Sequence, residues 1–341
     1  MIKNFRSAFT LTGLLAMSCF PQMIALFPEQ AKGNTQINKL PGYVAADGAV
    51  IDPTTGLPTR IRHEASGIVL VLIPAGEFLM GSPESEKERS AHERQHRRVI
   101  RRPFYMGETE VTVSQFRRFV KATGYKTDAE RGRPEDGHGK GAFASVPAGD
   151  RDWSEDANWQ NPFPNFKDYC LREDHPVVQV SWNDARRFCE HFGVQLPTEA
   201  QWEYACRAGS RTRFFWGDSE DGAKGYGNFK DIAYRKRFPS MGTGVSFDDG
   251  VELLAAVGSY KPNAWKLFDM IGNIEEWCQD AYGKYPDDGA DESATPGNGS
   301  IIRGSSWLDN TFRYRSATRG GMRTESRRDF IGFRVAMTPS L

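Results

Sequence analysis

The apolar residues of this chain fall into short runs separated by long polar stretches. Residues 68–73 form a β-branched apolar run that stops at Pro74, and this length and composition predict a buried strand. Residues 77–82 predict a second short strand. These runs are too short for long helices, so the pattern favours small elements joined by loops.

The stretch 104–124 predicts a strand that leads into a helix. Thr112 or Ser114 is the expected N-cap, since a hydroxyl can accept a hydrogen bond from the free N–H groups of the first turn. Gly124 is the expected stop, because glycine adopts the left-handed conformation that ends many helices. The apolar face of this helix is formed by Phe116, Phe119 and Val120.

Two more helices are predicted further along the chain. Residues 177–193 predict a strand followed by a helix with a cap near Ser181 or Asn183. Residues 198–209 predict a third helix, in which Thr198 and Gln201 have the spacing of a capping box.

The rest of the chain is mostly polar and irregular, with 34 glycines and 19 prolines in the full sequence. Residues 34–66 are turn-rich and predict a linker or lead-in. No internal repeat and no further boundary follows. The sequence therefore predicts one loop-rich domain over residues 67–338.

The N-terminus predicts export. Lys3 and Arg6 precede a short apolar segment over residues 8–20, as in a secretory signal, so residues 1–33 are assigned to a signal peptide or lipoprotein signal. The residues before Cys19 loosely match a lipoprotein box, and cleavage further on is the alternative. Contact with a membrane is expected only through a lipid anchor at Cys19.

Charge and cysteine content narrow the function further. The 44 basic and 44 acidic side chains cancel, which argues against nucleic acid as a partner. Without Cys19 four cysteines remain, and both disulfides and buried free thiols are consistent with that number. No C-x-x-C pair is present, which argues against a structural zinc site.

Residues 92–96 read HERQH, the zinc-protease pattern H-E-x-x-H with His92, Glu93 and His96. In such a site a helix brings both histidines to one face. The surrounding stretch has almost no apolar residue before Val99, so it cannot form an amphipathic helix that would bury them. The sequence therefore argues against a metalloprotease and against zinc.

Longer motifs indicate a family. The segments LPTEAQWEYA (196–205) and DMIGNIEEW (269–277), together with IIRGSSW (301–307) and IGFRVA (331–336), resemble the formylglycine-generating enzyme, or sulfatase-modifying factor, family. The resemblance spans residues 67–337 and also places Glu93 and His96 before a strand. It implies an α+β, loop-rich fold related to C-type lectins.

The family's chemistry does not carry over in full. Formylglycine generators oxidise a sulfatase cysteine with O₂ and a Cu(I) ion held by two cysteines, because soft thiolates favour Cu(I). By resemblance those cysteines follow residues 303–307, but here the first position is Asp309 and the second falls in the shortened stretch 310–312. No cysteine follows Cys278. The resemblance therefore predicts that no copper–thiolate site is formed.

The resemblance also implies two structural calcium sites, since Ca²⁺ takes mixed carboxylate and carbonyl oxygens. The alternative is that these polar groups cap turns. The first set is Asn228, the Phe229 carbonyl, Asp249 and the Val251 carbonyl. The second set is Asp269, the carbonyls of Gly272 and Ile274, and Glu276.

A substrate groove is expected around residues 303–319. Asp309 is a candidate general base, a ligand for a hard metal, or an ordinary salt-bridge partner of an arginine. Trp153 and Trp159, in the variable stretch, are candidates to face a ligand. The candidate pocket residues are Ser306, Trp307, Asp309, Arg313 and Arg315, with Tyr314 and Arg319 as neighbours.

Two functions follow from the resemblance. The first is an oxidoreductase of the superfamily that works without copper thiolates, and the second is a non-catalytic module that binds a ligand or protein. In either case a peptide or small molecule is the expected occupant of the groove. An open pocket around Asp309 would favour the enzyme, and a closed ion-pair network would favour the binding module.

Overall fold

The computed structural model describes residues 40–133, 139–242, 244–285 and 299–340. The signal segment 1–33, with Cys19, lies outside the described residues. The larger sheet has five antiparallel strands, and its most buried strand is formed by Phe104–Gly107 near one edge. In spatial order the strands are β1 (Tyr43–Ala45), β2 (Arg60–His63), β3 (Val69–Ile73), β6 (Phe104–Gly107) and β13 (Ala336–Met337).

A second sheet of four strands carries the C-terminal half of the family motifs. In spatial order its strands are β11 (Arg319–Met322), β10 (Ser300–Arg303), β9 (Glu275–Ala281) and β12 (Ile331–Gly332). Only β12 runs parallel to its neighbour, β9. Two hairpins complete the described strands: β4 (Gly76–Met80) with β5 (His96–Ile100), and β7 (Ala142–Ser145) with β8 (Arg151–Ser154).

The described part of the chain has five α-helices, and three of them confirm the predicted ones. Each of the three begins with a capping box, in which Thr112, Ser181 or Thr198 accepts a hydrogen bond from a backbone N–H three residues later. Gly124 ends the first with φ of 68°. The helices are α1 (Val113–Thr123), α2 (Asp128–Arg131), α3 (Trp182–Phe192), α4 (Glu199–Arg207) and α5 (Ile232–Arg237).

The strand predicted before α3 is wrong. Val177, Val178 and Val180 are buried as expected, but the segment does not form a strand. Gln179 between them has φ of 59°, which interrupts extended backbone, and its side-chain amide donates to the carbonyls of Phe143 and Pro162. The apolar run therefore fills the core as an irregular segment.

Aromatic side chains join α1 to α3 in one part of the core. Phe116 stacks on Phe188 with ring centroids 5.9 Å apart and meets the edge of Trp159 at 5.3 Å. Trp159 is only 1% exposed. The expectation that Trp159 faces a ligand is therefore wrong, because this side chain anchors the variable stretch to the core.

The described cysteines are free thiols: Cys170 is exposed, while Cys189, Cys206 and Cys278 are buried. Burial raises the pKa of Cys206 to about 12, so that thiol is un-ionised at neutral pH. No described helix combines the length and apolar character that crossing a membrane requires.

Candidate functional site

The loop between β10 and β11 carries the candidate pocket residues. Residues 303–319, called here the ion-paired loop, leave β10 at Arg303 and turn sharply at Ser305, whose φ is 57°. A short 3₁₀ turn over Thr311–Arg313 follows, and β11 begins at Arg319. The loop therefore holds the position at which the family's copper cysteines are expected.

Asp309 closes its own turn. Its Oδ2 accepts hydrogen bonds of 2.8 Å from both the N–H and the hydroxyl of Ser306. Its Oδ1 lies 3.0 Å from Nε of Arg313, so both carboxylate oxygens are committed. Of the three roles considered for Asp309, the geometry matches the salt-bridge partner.

Arg313 connects this turn to the second sheet. Its guanidinium also pairs with Glu275, a residue at the start of β9 whose side chain is 4% exposed. Burial raises the pKa of Glu275 to about 7, while Arg313 opposes the rise and Asp309 adds to it. The carboxylates of Asp309 and Glu275 therefore share a single arginine.

Trp307 and Ser306 are packing residues. Trp307 is 1% exposed, and its ring lies 5.7 Å from Tyr234 and 5.9 Å from Phe163. Its indole N–H has no acceptor among the described residues. Ser306 is fully buried, with its hydroxyl bonded to Asp309. A ligand cannot reach either side chain from solvent without opening the core.

Arg315 is bound by two glutamates from a distant part of the chain. Both of its terminal nitrogens bond Glu93, at 2.6 and 2.8 Å, and one also bonds Glu86 at 2.8 Å. Arg315 and Glu93 are both almost fully buried. Arg303 follows the same pattern, since it pairs with Glu203 and donates to the carbonyls of Ala317 and Thr318. The arginines thus hold the loop together.

The same ion pair explains the HERQH motif. Glu93 accepts from Arg315 and from the hydroxyl of Ser82, so it is not available as a general base. His96 starts the strand β5 and packs on Tyr285, with ring centroids 4.6 Å apart. His92 is exposed in the preceding turn. Without a helix the i, i+4 spacing does not present both histidines to one metal.

An open cavity of about 450 Å³ lies beside the ion-paired loop. Phe312 is 44% exposed at this site and is one of few large apolar side chains that the described surface exposes. The Lys230 cavity, as we call it, is lined by Glu88, Lys230, Gly242, Gly244, Asn310, Thr311 and Phe312.

Lys230 is the basic residue of this cavity that sequence analysis missed. The other charged residue of the lining, Glu88, pairs with Arg213. The residue is 5% exposed, and its Nζ donates to Oδ1 of Asn310 at 3.1 Å. Burial lowers its pKa below the usual value, and Asp309 opposes that shift. Within the described ranges no carboxylate lies at salt-bridge distance from Lys230. Its one sequence signal is its place two residues after Asn228 of the first predicted calcium set.

The backbone around Lys230 is tightly fixed. Its N–H donates to the hydroxyl of Tyr314 at 3.1 Å, and its carbonyl accepts from Val245. A side chain at Gly244 would collide with that carbonyl, because an added Cβ would lie 1.6 Å from the oxygen. Glycine at 244 therefore allows the two segments to lie in contact and keeps Lys230 at the cavity.

The first predicted calcium set lies on two neighbouring segments. Oδ1 of Asn228 is buried and has no hydrogen-bond partner among the described residues, whereas its Nδ2 donates to the Leu253 carbonyl. Burial raises the pKa of Asp249 to about 7, and the nearby Asp231 adds to the rise. The carbonyls of Phe229 and Val251 complete this set.

The second predicted set is partly occupied by the protein itself. Both carboxylate oxygens of Glu276 pair with Arg334, and one also accepts from the Trp202 indole at 2.8 Å. Oδ1 of Asp269 is buried without a described partner, and the carbonyls of Gly272 and Ile274 complete the set. In the part of the chain that the structure describes, no three His, Cys, Asp or Glu side chains are grouped to hold a metal.

Comparison with known proteins identifies the relatives. Residues 57–339 match the family model of the sulfatase-modifying factor enzyme 1-like domain. The formylglycine-generating enzyme of Streptomyces coelicolor is 36% identical over 78% of this chain and 88% of its own length. A Bos taurus protein named inactive C-alpha-formylglycine-generating enzyme 2 is 31% identical, over 78% and 87%. Among solved structures, PvdO from Pseudomonas aeruginosa is 27% identical with a TM-score of 0.61, covering 82% of this chain and 98% of its own.

Proposed function

Because the chain belongs to the sulfatase-modifying factor family, we propose that it uses the family scaffold to bind a ligand and does not generate formylglycine. One observation carries this proposal: both carboxylate oxygens of Asp309, at the expected catalytic position, are engaged by Ser306 and Arg313, while an open cavity with a lysine lies beside them. The absence of any cysteine after Cys278 supports the same conclusion.

The ligand we propose is a peptide or small molecule that carries a carboxylate next to an apolar group. The ammonium of Lys230 has a neutral amide oxygen as its polar partner, so an anion would supply the missing charge. The exposed ring of Phe312 offers apolar contact in the same cavity. The volume of about 450 Å³ is within the range of small-molecule sites.

The carboxylate site can be tested with phenylacetate and its neutral counterpart phenylacetamide, each titrated by NMR. We expect phenylacetate to bind, and Lys230→Met to weaken it about tenfold, since a charge-assisted hydrogen bond is lost. Lys236→Met is the matched control, because Lys236 is exposed and pairs with Asp248. Equal binding of the two probes, or equal loss in both variants, would contradict the proposal.

The absence of formylglycine generation needs a separate assay. A cysteine-containing sulfatase peptide is incubated with Cu(I) and O₂, and any aldehyde is trapped with a hydrazide. The Streptomyces coelicolor formylglycine-generating enzyme serves as the positive control. We expect aldehyde from that control and none from this chain. Aldehyde formed by this chain would refute the proposal directly.

A second candidate function is an oxidoreductase that works without copper thiolates. Glu275 favours it, because a carboxyl with a pKa of about 7 could exchange a proton near neutral pH. Its salt bridge with Arg313 and its burial weigh against that role. Metal analysis and O₂ consumption with thiol substrates test this candidate, and O₂ uptake that Glu275→Gln abolishes would favour it.

Calcium is proposed as a structural ion of the first set only. The buried Oδ1 of Asn228 and the carboxyl of Asp249 fit an oxygen-binding cation, since both lack a described cationic partner. The carboxylate of Glu276 does not fit, because Arg334 already pairs with it. Calcium at about a hundred times its Kd should add about 2.7 kcal/mol to the free energy of unfolding. Asn228→Ala should remove the effect of calcium in thermal unfolding, whereas Glu276→Gln should not.

We also propose that the protein is exported, on the evidence of residues 1–33. N-terminal sequencing of the mature protein after expression of the full chain tests this. Mass spectrometry of Cys19 then distinguishes a lipoprotein from a cleaved secreted form, with Cys19→Ser as control. An intact N-terminus in the cytoplasmic fraction would contradict export.

A further inference from the structure

A second cavity, of about 510 Å³, lies away from the ion-paired loop, between α3 and the end of β9. One face of α3 forms its wall, since Trp182, Arg186 and Glu190 are spaced four residues apart. We call it the Trp182 cavity. The remaining lining residues are Cys189, Val194, Gln195, Leu196, Thr198, Gln279 and Asp280.

The charges that line this cavity are not balanced. Arg186 lies over the Trp182 ring at 5.5 Å and is 3.5 Å from Glu190, so these two charges compensate each other. Asp280 is 5% exposed, and its Oδ2 accepts from the backbone N–H of Glu199 at 2.5 Å. Across the described ranges, Asp280 makes no salt bridge. The charge of Glu199 raises the pKa of Asp280, and the charge of Arg98 lowers it. The net charge at the cavity is therefore negative.

The other walls are apolar or aromatic. Leu196 is buried, Val194 is half buried, and the thiol of Cys189 is un-ionised because burial raises its pKa. The face of Trp182 is covered by the Arg186 guanidinium, so this residue contributes an aromatic wall whose cationic partner comes from the protein itself. A single positive group attached to an apolar body matches all of these walls.

We propose that the Trp182 cavity binds a small organic cation, an ammonium or guanidinium group with an apolar body. The positive group pairs with Asp280, and the apolar part packs against Leu196 and Trp182. Burial raises the pKa of Asp280 to about 6, so the carboxylate is mostly ionised at neutral pH and a cation partner stabilises it. This site is separate from the Lys230 cavity and does not depend on the proposed function.

The test uses phenethylamine as the probe and 2-phenylethanol as its neutral counterpart, titrated by NMR on the whole chain. A ligand of this size that fits its site should bind with a Kd of about 10 mM or tighter. We expect the alcohol to bind about tenfold more weakly. Nα-acetyl-lysine N-methylamide, which keeps its ε-ammonium free, is the second amine and tests whether an ammonium is also bound when a peptide carries it.

Two variants locate the site. Asp280→Asn retains an oxygen for the N–H of Glu199 but removes the charge, and should weaken phenethylamine about tenfold. Val194→Trp fills the cavity from its half-buried wall without changing Asp280, and should abolish binding even if Asp280→Asn misfolds. Glu77→Gln removes an exposed carboxylate outside the cavity and should leave phenethylamine binding unchanged. Absence of binding by both amines, equal binding of amine and alcohol, or full binding by Val194→Trp would overturn the proposal.

Discussion

Asp309 and Asn310 are adjacent in the chain, yet they belong to two regions with opposite properties. On the Asp309 side, Arg313 and Arg315 are each paired with carboxylates that are mostly or fully buried. On the Asn310 side, the described hydrogen-bond partner of the Lys230 ammonium is an amide oxygen, and the residue borders a cavity of about 450 Å³. In the first region the charges pair with each other and hold the loop, whereas in the second region the ammonium of Lys230 has no described carboxylate partner.

This difference teaches where to look for function when catalytic residues are replaced. A carboxylate at the position where the family resemblance places a copper cysteine is a hard, charged group, and in a partly buried turn it needs donors and a counter-charge. Ser306 supplies the donors and Arg313 supplies the counter-charge, so Asp309 stabilises the loop. We therefore propose that ligand binding lies with the neighbouring Lys230 cavity, where the ammonium has no described carboxylate partner.

The largest effect is expected from Arg315→Met. Removing this guanidinium leaves Glu93 and Glu86 buried without a counter-charge, which should lower the free energy of unfolding by about 3–5 kcal/mol. Urea denaturation measures the loss. Arg97→Met is the control, since its pair with Glu77 is exposed and should contribute less than about 1 kcal/mol. Equal losses in the two variants would mean that the loop is not held by ion pairs.

The next largest effect is expected from Glu275→Gln, whose stability relative to the wild type should depend on pH. The folded-state pKa of Glu275 is raised to about 7, above about 4.3 in the unfolded chain, so the folded protein loses stability as pH rises between these values. Glutamine does not titrate. As pH rises from 4.5 to 7.5, the free energy of unfolding of the variant should therefore increase relative to that of the wild type by on the order of 3 kcal/mol.

Urea denaturation at a series of pH values checks this difference, with Glu77→Gln as an exposed control. A difference that stays constant with pH would show that Arg313 fully compensates the burial of Glu275. The Asp309 side would then be more stable at neutral pH than its buried charges suggest.

The sequence was sufficient for three of the five described helices because their signals are local, whereas the short helices α2 and α5 were not predicted. Thr112, Ser181 and Thr198 each interact with a residue three positions later, so a short window contains the whole capping box. The strand β3 was equally local, as a β-branched run that stops at a proline. The irregular segment at Gln179 was missed because its backbone is set by distant carbonyls.

The site could be predicted only in part, because its contacts join distant residues. The motif resemblance led to Asp309, but its burial depends on Arg313 and Glu275. The role of Glu93 depends on Arg315, more than two hundred residues away. Lys230 carries no motif, and only its proximity to Asn310 in the folded chain brings it to the cavity.

A smaller effect is expected from Asp309→Ala. The N–H and hydroxyl of Ser306 lose their acceptor and Arg313 loses one partner, which should lower the free energy of unfolding by about 1–3 kcal/mol. Phenylacetate binding should persist, because removing a negative charge near Lys230 favours an anion. A variant with wild-type stability that fails to bind phenylacetate would instead place Asp309 in the binding site.

The smallest effect on stability is expected from Lys230→Met. The substitution removes one hydrogen bond to Asn310, which contributes about 0.5–1.5 kcal/mol, but it also removes the cost of holding an ammonium in a buried position. These terms oppose each other, so urea denaturation should show a change below about 1 kcal/mol. A loss as large as that of Arg315→Met would mean that Lys230, too, is a structural residue, and the contrast between the two sides of the loop would disappear.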